Sequence, residues 1–153
     1  MITAEMIYYQ KPRAYFDGSG NENSRREGAI MFLNENHFFK MSFGYGPCTN
    51  NFAELFNLKL LLLFALEKGC GKLQVFGDSK TPRNLLQDTF MIKAHFDDIS
   101  CSRIYRKRNT ISDQLSKEGT QQVPGTLMIH EHNGMDYYQY YHRPFSDFGS
   151  QTG

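Results

Sequence analysis

TNNFAELFNLKLLLLFALEKG, running from Thr49 to Gly69, is the stretch whose reading decides the fold. It predicts a single helix. Thr49 or Asn50 can cap its start by accepting from the free N–H groups of the first turn, Gly69 supplies the left-handed residue that ends it, and Lys68 suits the negative end of the helix dipole. Between those ends Phe52, Leu55, Phe56, Leu58 and the run 60–66 carry apolar side chains most of the way round. A surface helix would keep a polar stripe, so this one is expected to lie buried between a sheet and a second element. Glu54 is out of place there. An ionised carboxylate against a buried surface is costly unless it is paired or binds a metal. Glu54 therefore calls for a cation, and aspartates stand at the ends of the chain's predicted strands.

At 153 residues the chain is most simply one domain, long enough to bury roughly 68–70% of its unfolded surface in one core. Lys+Arg 17 against Asp+Glu 16 leaves a net charge of +1, so any attraction to nucleic acid or anionic lipid has to be local rather than global. Cys48, Cys70 and Cys101 are odd in number and fit neither a metal-binding C-x-x-C spacing nor a secreted disulfide framework, which favours a reducing, intracellular setting. The first residues lack a signal pattern, and the 60–66 run is far short of the roughly 20 apolar residues of a membrane span. A soluble protein with no membrane partner is expected.

Outward from the central helix, residues 1–12 form a lead-in ending at Pro12. Arg13 to Ser19 reads as a short strand delivering Asp17 to a sheet edge, and residues 20–27 as polar loop. Gly28–Leu33 and His37–Tyr45, split by Asn34-Glu-Asn36, predict an antiparallel hairpin. After the helix, Lys72–Asp78 reads as a strand joined to the first by a helical crossover, hence parallel to it. A helix from Pro82 to about His95, a strand over Cys101–Lys107 and a short helix from Asn109 or Thr110 to Glu118 follow. Thr126–His132 and Met135–His142 flank Asn133-Gly134, the strongest hairpin signal in the chain.

Four motifs in this order resemble the type 1 ribonuclease H family: Asp17-Gly-Ser19, Thr49-Asn-Asn-Phe-Ala-Glu54, Asp78-Ser79 and Asn109-Thr-Ile-Ser-Asp113. Tyr105-Arg-Lys-Arg-Asn109 and Ala53-Glu54 are similar to ribonuclease H-like domains found with plant retroelements. The resemblance implies an α/β ribonuclease H-like fold over residues 13–119, with a mixed five-stranded sheet in the order 3-2-1-4-5 flanked by helices. The C-terminal extension, 120–153, then carries the β-hairpin. It further implies endonucleolytic hydrolysis of the RNA strand of RNA–DNA hybrids with two Mg²⁺ ions, or Mn²⁺ in their place, and a reverse transcriptase polypeptide as a candidate parent. Asp17 would bridge the ions, Glu54 and Asp78 would complete one site, and Asp113 the other.

That assignment suits the chemistry. Two-metal hydrolysis needs two hard cations roughly 3.5–4 Å apart, and Mg²⁺ takes oxygen ligands while keeping several waters, so four carboxylates serve both. Taken singly, each acid reads as a helix-end glutamate, a cap or a surface aspartate. Substrate contacts fall, by the same resemblance, to Gly18, Ser19, Thr49, Asn50, Asn51, Ser79, Arg106, Arg108 and Asn109. Thr49, Asn50 and Asn51 serve equally as helix caps or as groups set against 2′-hydroxyls. The cluster Arg103, Arg106, Lys107 and Arg108 serves equally as a phosphate site or a charged strand edge.

The chain departs from the family pattern in three places. Gly20-Asn-Glu-Asn-Ser-Arg-Arg-Glu27 replaces the usual glycine-rich stretch, the Asp78–Asp113 interval is short by about a helix, and no histidine precedes Asp113. A weak or inactive nucleic-acid-binding or interaction module derived from a retroelement is the alternative these departures favour. His130-Glu-His132 and the tyrosines at 137, 138, 140 and 141 read as the dressing of a hairpin or of a partner surface rather than as a metal site or base-stacking platform.

Overall fold

A computed structural model describes residues 11–21, 24–45, 48–77, 90–103 and 126–142. Strands β1 (Arg13–Asn21), β2 (Ser24–Asn34) and β3 (His37–Gly44) form an antiparallel meander, followed by helix α1 (Asn50–Glu67) and strand β4 (Lys72–Gly77). A short helix α2 (Phe90–Lys93), β5 (Asp98–Arg103), β6 (Leu127–Asn133) and β7 (Asp136–His142) complete the described elements. All the strands join one seven-stranded sheet, ordered β5-β4-β1-β2-β3-β6-β7. The expected 3-2-1-4-5 arrangement lies inside it. The five-stranded count is corrected because the C-terminal hairpin does not stand apart: β6 pairs antiparallel with β3 from His37↔Asn133 to Phe43↔Leu127.

Helix α1 obeys its local signals. The Thr49 hydroxyl accepts from the Phe52 N–H at 3.1 Å, so Thr49 rather than Asn50 is the cap. At the other end Gly69 adopts φ 76°, and the Cys70 N–H reaches back to the Ala65 carbonyl at 2.9 Å, as a left-handed helix terminus requires. Between the ends, Leu58, Leu61, Leu62, Phe64 and Ala65 pack into one core with Ala14 and Phe16 of β1, Ala29 and Met31 of β2, Phe39, Met41 and Phe43 of β3, and Leu73 and Val75 of β4. Leu127 and Ile129 extend that core onto β6. Each strand sends every second residue to it.

The residues of opposite parity cover the other face with rings. Tyr15 stacks on Phe76 at 5.3 Å and meets Phe32 edge-on, Phe32 contacts Phe38, and Phe38 stacks on His132 at 4.7 Å. Arg13, 4% exposed, lies over the Phe32 ring and pairs with Glu35 at 2.8 Å.

Three sequence expectations are corrected. Residues 20–27 are not all loop, because β1 and β2 run on to the rung Asn21↔Ser24 and satisfy their backbone groups in the ladder. The last core strand starts at Asp98, not Cys101, since the parallel ladder with β4 begins at Lys72↔Asp98 and ends at Gly77↔Arg103. The Asn133-Gly134 hairpin is present, but its loop residues are Gly134 and Met135, with positive φ at Gly134 alone, the pattern of a type II′ turn. Of the helix expected over Pro82–His95, α2 lies within the described residues and 81–89 outside them; the helix expected up to Glu118 and residues 104–107 also lie outside.

A Cβ at position 69 meets nothing within 4 Å, so Gly69→Ala isolates the backbone term. Forcing an L-residue into this conformation is expected to lower stability by about 1–2 kcal/mol. Urea unfolding checks this: the midpoint falls while the slope with denaturant stays unchanged.

Candidate active site

The site builds from the end of the β1–β4 ladder. Among the described residues that parallel ladder runs from Arg13↔Gln74 to Phe16↔Gly77, and Asp17 is the next residue of β1. In open α/β sheets the crevice outside the carboxyl ends of parallel strands is where ligands bind. Asp17 is 8% exposed with its Oδ2 fully buried, and its rung partner on β2 is Gly28. One residue past Gly77 the chain reaches Asp78, which with Ser79 lies outside the described residues, as do Asp113, Arg106, Arg108 and Asn109.

Glu54 arrives from the helix. It is half-buried in the second turn of α1, rather than sealed in the core as the apolar run alone predicts. Among the described acids Glu27 is the fully buried one, 1% exposed, although its segment has the composition of a polar loop. Glu27 has the parity of Ala29 and Met31 and so faces α1, where Asn57 Nδ2 donates to its Oε1 at 3.1 Å. Glu54 and Asn57 are three residues apart and share a helix face. Glu27 sits opposite Gly18, on the rung beside Asp17↔Gly28. The Asn57–Glu27 bond thus pins the start of α1 to the end of the sheet where Asp17 lies, and brings Glu54 to that end. The signal for Glu27 was available: Glu27, Ala29 and Met31 alternate with the strand period.

Around this anchor Tyr45 is buried beside Phe43 and set edge-on to Phe52 and Phe56. Burial, followed by the Glu27 carboxylate and the Cys48 thiol, pushes its hydroxyl well above tyrosine's ordinary range. Among the described residues that hydroxyl has no hydrogen-bond partner.

Of the predicted substrate contacts, Gly18 and Ser19 continue β1 beyond Asp17, and Thr49 is spent on capping α1. Asn50 and Asn51 open the first turn of the helix. Among the described residues no three metal-ligating side chains come together; only Asp17 and Glu54 of the predicted quartet fall within them. The hard oxygen donors and the buried Asp17 suit a Mg²⁺-type ion. The His130-Glu-His132 pair is otherwise engaged: His132 stacks on Phe38, His130 bonds the Tyr137 hydroxyl, and Glu131 pairs with His37 at 2.7 Å.

Solved structures share much of this fold. Ribonuclease H1 from the halophilic archaeon Halobacterium salinarum NRC-1 matches with a TM-score of 0.62 and 24% identity, over 71% of this chain and 96% of that one. The chain has the ribonuclease H fold. The N-terminal ribonuclease H domain of Rv2228c from Mycobacterium tuberculosis, solved as a fusion with maltose-binding protein, gives 0.60 and 22%, over 72% of this chain and 99% of that one. LC11-RNase H1, solved in complex with an RNA/DNA hybrid, gives 0.59 and 21%, over 72% and 96%. No protein-family model and no curated protein matches the sequence. Among the described residues no helix is long and apolar enough to cross a membrane.

Removing the donor that holds Glu27 leaves a buried acceptor short of a bond, so Asn57→Ala is expected to cost about 1–3 kcal/mol of stability, read by urea unfolding. Tyr45 gives a pH signature. An unfolded chain releases a tyrosine proton near pH ~10, whereas the fold retains it at Tyr45; stability is complete below that pH and is lost as pH rises above it. Tyr45→Phe is expected to leave the unfolding midpoint at pH 7 unchanged or raised and to flatten its decline in alkali. Some decline remains, because burial and the Glu131 carboxylate hold Tyr140 up at about 12.

Proposed function

We propose that this chain is a divalent-metal-dependent endonuclease that hydrolyses the RNA strand of RNA–DNA hybrids. The observation carrying the proposal is the buried Asp17 carboxylate, next after the last described rung of the β1–β4 ladder, with Glu54 brought to the same end by the Asn57–Glu27 anchor. The ribonuclease H fold supports it, as does the hybrid bound to LC11-RNase H1, a protein of the same fold.

In this reading Asp17, Glu54, Asp78 and Asp113 hold two Mg²⁺ or Mn²⁺ ions. When bound, such a pair activates a water and stabilises the leaving oxygen. The chain's own residues do the rest. Burial of Asp17 fixes its rotamer and limits competing water, and the anchored helix keeps Glu54 from drifting. Gly18 and Ser19, which follow Asp17 on β1, are the contacts for a phosphodiester backbone in this reading. Asn50, Asn51, Ser79 and Asn109 supply polar groups for 2′-hydroxyls, the feature that marks the RNA strand. Thr49 contributes by fixing the helix start. Arg106 and Arg108 neutralise phosphates without sequence preference. A reverse transcriptase polypeptide is the proposed parent setting.

A labelled RNA–DNA hybrid, incubated with the protein and Mg²⁺ or Mn²⁺ beside duplex RNA, tests the proposal. Only the hybrid's RNA strand is expected to be cut, leaving 5′-phosphate and 3′-hydroxyl ends. Losing a partner one layer outside a metal already costs about 10–100-fold, so Asp17→Asn and Asp78→Asn are each expected to lose at least about a hundredfold. A silent protein whose melting temperature is still raised by the metal would sink the hydrolase. It would leave a nucleic-acid-binding module with a metal-binding acidic cluster, the reading that the short Asp78–Asp113 interval favours.

A further inference from the structure

Strand β7 ends the sheet, so among the described residues one row of its backbone N–H and C=O groups faces no strand. Such an edge is a template for another strand, and proteins that avoid pairing there place lysine, proline or a bulge on it. β7 has none of these. Its sequence, Asp136-Tyr-Tyr-Gln-Tyr-Tyr-His142, pairs with β6 without a register shift, and Tyr137, Tyr138 and Tyr141 are 51%, 54% and 60% exposed.

The same seven residues form a near-palindrome about Gln139. We propose that β7 pairs antiparallel with β7 of a second copy of this chain, about a two-fold axis through Gln139, and joins two sheets into one. In that register Gln139 meets Gln139, Tyr138 meets Tyr140, Tyr137 meets Tyr141, and Asp136 meets His142 of the second copy. The strand matches itself along its length: like amides at the axis and aromatic pairs on both sides. Directly opposed aromatic pairs add to sheet stability. A slip by one or two places in either direction sets Gln139 against a tyrosine and leaves strand ends unmatched.

The faces also agree. Tyr140 lies on the α1 side, partly buried against the core, with its hydroxyl donating to Glu131 at 3.4 Å. Tyr137 lies on the opposite side, beside His132 and His130. Opposed residues in an antiparallel pair point to the same side, so Tyr138 and Tyr140 meet on the core side while Tyr137, Gln139 and Tyr141 meet on the other. The ring-covered face running from Phe76 through Tyr15, Phe32, Phe38 and His132 to Tyr137 would then continue across the axis into the second copy. An isologous two-fold contact of this kind closes on itself.

Sedimentation equilibrium and chemical cross-linking of the full chain test this without reference to nuclease activity. The protein is expected to sediment as a dimer at micromolar concentration. Tyr137→Lys/Tyr141→Lys sets like charges on the paired positions and is expected to weaken the dimer at least tenfold with the thermal transition retained. Tyr137→Lys/Tyr141→Glu sets opposite charges on the same positions and restores it. Under mild oxidation Gln139→Cys is expected to give a covalent dimer well above the wild-type background, because two axial residues oppose each other closely enough for a disulfide; Tyr138→Cys is not. A monomer throughout, a dimer indifferent to the paired lysines, or equal cross-linking at positions 138 and 139 would overturn the proposal.

Discussion

Everything in this structure depends on β1 being paired on both sides by strands of opposite sense. It runs antiparallel to β2 and parallel to β4. The β2 ladder follows β1 to Asn21, and Asp17 is the residue of β1 after the last described rung with β4, Phe16↔Gly77. Helix α1, the crossover from β3 to β4, starts at the end of the sheet where β1 and β3 finish and runs to the opposite end, which gives Glu54, near its start, its place.

The buried Glu27–Asn57 contact is the second constraint, and its cost shows what it secures. A carboxylate removed from water loses several kcal/mol of solvation by general estimates, offset here by the Asn57 donor and by interactions of its remaining groups. An apolar pair would bury more cheaply. The polar pair instead fixes which residue of α1 sits over which rung, because a hydrogen bond tolerates far less sliding than a leucine contact does. Leu58, Leu61 and Leu62 hold the helix against the sheet; Asn57 sets its register.

Much of the fold was legible because its signals are local. Helix α1 was readable to within a residue, since Thr49, the apolar run and Gly69 act on neighbouring backbone groups. The β2–β3 and β6–β7 turns announced themselves through Asn34-Glu-Asn36 and Asn133-Gly134. Asp17 and Glu54 were found as motif members, and their arrival at one end of the sheet follows from the crossover. Less legible were residues 20–21 and 24–27, whose polar composition reads as loop but which pair in the β1–β2 ladder. Glu27 was hidden by the same composition, and the start of β5 was set by its partner Lys72 rather than by its own residues.

The sequence by itself determined the helix and its caps, the turns, the alternation of each strand and the order of the acidic motifs. All of these follow from contacts within a few residues, where chain entropy lets only one geometry compete. Tertiary structure alone decided where each strand lies: that the C-terminal hairpin adds to β3, that Glu27 is buried under Asn57, and that β7 is left at the edge of the described sheet. Those outcomes depend on long-range pairing. The alternation of a strand fixes which face is buried but not which neighbour it meets, and only the completed sheet makes that choice.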